Sequence, residues 1–121
     1  MEKSASHIEK SVPHIIVEII EYVPNSVLSK TIIKKTTGNV TAMAFDTGEE
    51  LAERILPFDS FIQVIDGNAE ILIDRKSTQL KLGEGMIIPA HALSMIKARQ
   101  RFKIILTVIK SAYDYQPGPN L

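Results

Sequence analysis

The chain predicts an all-β fold, a closed antiparallel barrel or jelly roll preceded by one short N-terminal helix. Three observations carry that expectation. Nine short segments between Val27 and Ile109 are rich in β-formers and tend to alternate apolar with polar residues. Turn formers separate them at near-regular spacing, among them Asp66-Gly67-Asn68, Asp74-Arg75-Lys76 and Gly83-Glu84-Gly85. No helical stretch intervenes between those segments, which is the layout of a sandwich or barrel.

Taken in order, residues 1–25 form an arm and helix, 26–110 the barrel and 111–121 a tail, all within one domain. Residues 1–10 are polar and would fray unless docked on the barrel or on a neighbouring subunit. Ser11 and Pro13 suit a helix start, and Ile15, Ile16, Ile19, Ile20 and Val23 follow at helical spacing until Pro24-Asn25. The period then becomes two. Strands are expected over 27–35, 40–46, 51–55, 60–66, 69–74, 78–82, 86–89, 94–98 and 102–109. Gln116-Pro117-Gly118-Pro119 cannot be a central strand and should run over the surface.

Composition narrows the function. The 121 residues are 45% hydrophobic with a mean hydropathy of +0.07, apolar enough that a second subunit is expected to cover part of the surface. Fourteen basic and fourteen acidic residues cancel, so no long-range field draws the chain to nucleic acid or anionic lipid. Zero cysteines exclude disulfides, thiolate ligands and a cysteine nucleophile. No apolar run reaches membrane-spanning length, and the first ten residues lack a secretory layout, so the expected location is cytoplasmic.

Two glycine-anchored blocks, Gly48 to Gly67 and Gly83 to Ser94, frame the centre of the chain. Five residues separate Gly83 from Pro89. With the strand lengths around them, these residues resemble the small single-domain cupins, the conserved β-barrel or double-stranded β-helix family. The resemblance covers about residues 27–109 and implies a homodimer, often with N-terminal strands at the interface. Its first block ordinarily carries two histidines and a glutamate, and its second a further histidine, which together hold a metal ion. Here the matching positions are Arg54, Leu56, Ser60 and Ser94. A transition metal needs several N, O or S donors converging on it, and this set does not supply them. The reading therefore assigns no metal, no other cofactor and no catalytic residue, and leans away from an enzyme.

The remaining candidates are for binding. Period two puts Arg54, Leu56, Ser60, Ile62 and Val64 on the inner face, with Ser94 and Ile96 opposite. Arg54, Ser60 and Ser94 would then surround an apolar-based cavity suited to a small anionic metabolite, since arginine pairs well with carboxylate or phosphate. The competing reading is that Arg54 pairs with Glu50, Glu53 or Asp59 and plugs the opening. His91 falls at the rim, in the loop before a strand, as a surface histidine or a ligand contact; His7 and His14 lie outside the barrel pattern. Glu49, Glu50 and Glu53 read as solvated charges. Lys97, Arg99, Arg101 and Lys103 read as a basic sheet edge that discourages pairing, not as a nucleic-acid surface. The functional alternatives are a metabolite-binding or sensing barrel, a structural or regulatory homodimer with a filled barrel, and a metal-dependent isomerase or dioxygenase.

Overall fold

A computed structural model describes residues 8–110 and the backbone of residues 2–5. The proposed tail 111–121 and His7 lie outside the described residues. Ten strands make two sheets: β1 (Glu2–Ala5), β2 (Val27–Lys35), β3 (Gly38–Phe45), β4 (Glu50–Ile55), β5 (Asp59–Gly67), β6 (Ala69–Ile73), β7 (Lys76–Leu80), β8 (Gly85–Ile88), β9 (Leu93–Lys97) and β10 (Phe102–Ile109). The larger sheet runs β1-β2-β3-β10-β5-β8 and the smaller β4-β9-β6-β7. Every pairing is antiparallel except β1 with β2.

Alternation decides which side chains meet. On β5, Ser60, Ile62 and Val64 are buried while Asp59, Phe61 and Gln63 face solvent. The inward residues of both sheets join in one core, including Met43, Phe45, Ile62, Ile71, Ile96, Phe102, Ile104 and Leu106. Phe45 and Phe102 are register partners on β3 and β10, and their rings stack with centroids 4.5 Å apart. Gly67 closes the same end. Its φ is +69°, and an added Cβ would lie 2.3 Å from the Arg101 carbonyl oxygen, so no side chain fits there.

The expected helix is replaced by a single 3₁₀ turn, Ile16–Glu18. Ser11 has φ 62°, which is not a cap conformation, and Ile15 makes no side-chain cap bond. Ile15-Ile16-Val17 and Ile19-Ile20 are β-branched runs with little helical preference. The spacing that suggested a helix also fits a strap lying over a sheet. Ile20 seats against Ala42, Ala44 and Ile105 on the outer face of the larger sheet, where the two alanines leave room for it. Ile15 and Ile16 remain exposed.

The basic-edge reading is also corrected. β9 and β10 are interior strands of their sheets, so Lys97 and Lys103 guard no edge. Lys103 is buried and its Nζ donates to the Val17 carbonyl at 2.7 Å. Arg101 donates to Asp46 (2.8 Å) and Arg99 to Glu70 (2.9 Å). Ser77 also donates to Glu70 (2.6 Å), and these bonds, Arg99's first, hold the Glu70 carboxyl below its ordinary range.

These cations help clamp the strap. Tyr22 donates to Asp66 at 2.6 Å, with Arg101 and the Lys103 Nζ over its ring at 5.2 and 5.0 Å. Burial, then the Asp66 bond, pushes the Tyr22 hydroxyl upward in pKa. Asp46 accepts from Arg101 and from the Asn25 backbone N–H (2.7 Å), which lowers its pKa to about 2, the Arg101 bond being the main cause.

Candidate functional site

β4 places the first of the site residues. Its pairing with β9 shifts register between Leu51 and Arg54, and the ladder resumes with Arg54 opposite Ser94. On the other side of the barrel Ser60 sits between Ile88 of β8 and Val108 of β10. The result brings Arg54, Leu56, Ser60 and Ser94 to one inner cavity, completed by Phe58, Ile88, Pro89, Ala92, Ile96 and Leu106. Three of the four expected binding residues thus line one cavity, Arg54 and Ser94 from the smaller sheet and Ser60 from the larger.

His91 stands apart. It is exposed, with φ 68°, on the loop between β8 and β9, and it is not part of the cavity lining. Its backbone N–H donates to the Leu56 carbonyl at 2.7 Å, and Asp59 accepts from Ala90 N–H at 2.7 Å. These bonds, rather than the imidazole, hold the loop against the cavity.

Size decides what the inner cavity can hold. Its volume is about 10 Å³. That is room for one water, for which the Ser60 and Ser94 hydroxyls offer polar partners. Arg54 is half-buried and engaged within the protein. Of the acidic neighbours, Glu53 lies 3.8 Å from Arg75.

A second, larger cavity opens on the far side of Arg54. Its volume is about 300 Å³, near the lower end for small-molecule sites. Leu51, Met43, Leu56, Phe58, Leu106 and Val108 give it an apolar floor, while Ser29, Asn39, Thr41, Arg54 and Lys110 supply polar groups. Arg54, Leu56, Phe58 and Leu106 line both spaces and so form the partition between them. Beyond, Lys110 joins Lys34, Lys35, Thr36 and Thr37 around a shallow concavity at the rim. Sequence reasoning missed Ser29, Asn39, Thr41 and Lys110. The available signal was polar residues at inward positions of strands, as with Thr41 beside buried Ala42.

Ten strands in this order define a double-stranded β-helix barrel. No protein-family model matches the chain, and no curated protein matches it in sequence. Solved structures do share the fold. A conserved protein of unknown function from Streptococcus pyogenes superposes with a TM-score of 0.82 at 24% identity, covering 86% of this chain and 91% of that one. A cupin superfamily protein from Desulfitobacterium hafniense gives 0.80 at 23% identity, with 86% and 95% covered. A cupin 2 conserved barrel domain protein from Leptotrichia buccalis gives 0.75 at 29% identity, over 78% of this chain and 46% of that one. The chain has the fold of a small cupin barrel.

The metal that the cupin resemblance implies does not fit the residues present. A guanidinium, an isobutyl group and two neutral hydroxyls occupy the matching positions, and among the described residues the cavity lining adds no His, Asp or Glu. Among the described residues no cluster of three or more His, Asp or Glu side chains suits a metal ion. Among them, too, no helix is long and apolar enough to cross a membrane.

Proposed function

We propose that this cupin barrel binds a small anionic metabolite at its open mouth and acts as a binding or sensing module, not as a metal enzyme. One observation carries the reading: Arg54 and Lys110 line the same roughly 300 Å³ cavity over an apolar floor. A carboxylate or phosphate would pair with Arg54 and Lys110, and a short apolar body would lie against Met43, Leu106 and Val108. Ser29, Asn39 and Thr41 offer hydroxyl and amide partners for a polar substituent. Lys34 and Lys35 at the rim would raise the local concentration of anions although the chain's net charge is zero.

The experiment is a thermal-shift screen of small carboxylates and phosphates, followed by titration calorimetry on any hit. A true ligand at about a hundred times its Kd should stabilise the fold by about 2.7 kcal/mol. Arg54→Met should then weaken binding roughly ten- to a hundredfold, the worth of a hydrogen bond to a charged group. A hit whose affinity survives both Arg54→Met and Lys110→Gln would sink this site.

The inner cavity's volume of about 10 Å³ favours a second reading, a structural or regulatory protein whose barrel is simply filled. That reading expects no stabilisation by any anion in the same screen.

A further inference from the structure

One row of register partners crosses the inner face of the larger sheet near its open end. Ser60 on β5 pairs with Val108 on β10, Val108 with Asn39 on β3, and Asn39 with Lys34 on β2. Partners in a row share a face, so Lys34 stands on the inner side with Asn39, whereas Ile33 opposite Val40 belongs to the outer side. Three strand spacings separate Ser60 from Lys34, about 14 Å along the sheet.

Cations stand at both ends of that row. Arg54 lines the inner cavity together with Ser60, and it also lines the larger cavity in which Val108 and Asn39 lie. Lys34 borders the rim concavity with Lys35 and Lys110, and Lys110 lines the mouth as well, so it links the two spaces. Among the described residues no Asp or Glu lines either space. Nor does any ion pair among them hold Lys34, Lys35 or Lys110. In a chain whose acidic and basic residues are equal in number, this is a local excess of positive charge.

The two ends differ in chemistry. Arg54 offers a planar fork that matches the two oxygens of a carboxylate. The rim offers three ammonium groups and the hydroxyls of Thr36 and Thr37, on the turn between β2 and β3. The Lys110 N–H donates to the Thr37 carbonyl at 2.7 Å, which ties that turn to the end of β10. A phosphate monoester, with its second charge and third acceptor oxygen, suits such a donor set better than a carboxylate does.

We infer that the mouth takes a two-headed anion: a short phosphorylated carboxylic acid, its carboxylate at Arg54 and its phosphate at the rim lysines. The body between the heads lies along Val108 and Asn39, an apolar contact beside one amide. This rests on the anion site proposed above and adds to it a second anionic group and its place.

Titration calorimetry tests it with phosphonocarboxylates of increasing chain length, each beside the alkanoate and the alkylphosphonate of the same length. One length should bind at least about tenfold tighter than both of its one-headed counterparts, the worth of one further charged hydrogen-bonded contact. The Lys34→Gln/Lys35→Gln double variant, checked for folding by a thermal melt, should remove most of that margin and cost the alkanoate less. Raising the salt should shrink the same margin, because the rim lysines are exposed and screened. Alkanoates that bind through Arg54 as tightly as any two-headed acid would leave the mouth site standing and overturn the two-headed ligand alone. A margin that survives both the double variant and Lys110→Gln would overturn it too, since the second head would then lie off the rim. No binding by any of the three series would sink the mouth site and this inference together.

Discussion

At one end of the barrel Phe45 stacks on Phe102 and the strap is clamped through Tyr22, Asp66, Asp46 and Arg101; at the other, Arg54 and Lys110 flank an apolar space that no side chain among the described residues fills. Both ends are built from the same strands, since β3, β5 and β10 run from one to the other. The difference is in what fills them. Large aromatic side chains and a side-chain-free glycine seal the first, whereas polar residues at inward positions keep the second open. Stability should therefore be concentrated at the sealed end, and recognition at the open one.

The largest expected effect is at the sealed end. Phe102→Ala removes a fully buried ring and its stacking partner's contact, and should cost about 3–5 kcal/mol in urea unfolding. A loss under about 1 kcal/mol would show that this end is not the core of the fold.

Legibility in the sequence follows the same division. The barrel could be read because alternation is strong where one face is buried, as along Ser60 to Val64, and because Gly67 must be glycine on steric grounds. Nine of the ten strands were visible. β1 was not, since Glu2–Ala5 is polar and gains its place only by pairing with β2. The strap was misread because isoleucines three and four apart also suit an irregular segment laid on two alanines. Arg54, Ser60 and Ser94 could be placed because the motif glycines fixed their register. The mouth residues Ser29, Asn39, Thr41 and Lys110 come from β2, β3 and the end of β10, outside any motif, and only the closed sheet brings them to Arg54.

The clamp gives the next effect, seen in pH. Asp46 has a folded pKa of about 2 against an ordinary 3.8, so its ionised form stabilises the fold above about pH 4. That contribution is lost as pH falls from about 4 to 2, where the carboxylate takes up a proton. Asp46→Asn should flatten this part of the acid-unfolding profile while leaving a folded protein at neutral pH. An unchanged acid profile would remove Asp46 from the account of how the strap is held.

A smaller loss is expected from Tyr22→Phe, roughly 1 kcal/mol for one hydrogen bond at neutral pH. The sign in alkali is opposite to that of Asp46. A raised phenol pKa stabilises the fold below the ordinary value of 10.0 and loses that contribution as pH climbs past it. The variant should therefore shed part of the wild type's alkaline destabilisation, measured as Tm between neutral pH and pH about 11.

The smallest effects should come from the inner cavity, and they test the contrast most directly. Ser60 and Ser94 are buried, yet their hydroxyls border a space of about 10 Å³ that holds no more than a water. Removing one hydroxyl there leaves the rest of a polar site able to solvate the water, so Ser60→Ala or Ser94→Ala should shift stability by under about 1 kcal/mol. If the two serines were instead part of a rigid polar network with Arg54, each substitution would strand a buried group and cost considerably more. A large, non-additive loss in the double variant would mean that Ser60 and Ser94 form a structural plug. Near-neutral values would leave them as the quiet back wall of the open mouth.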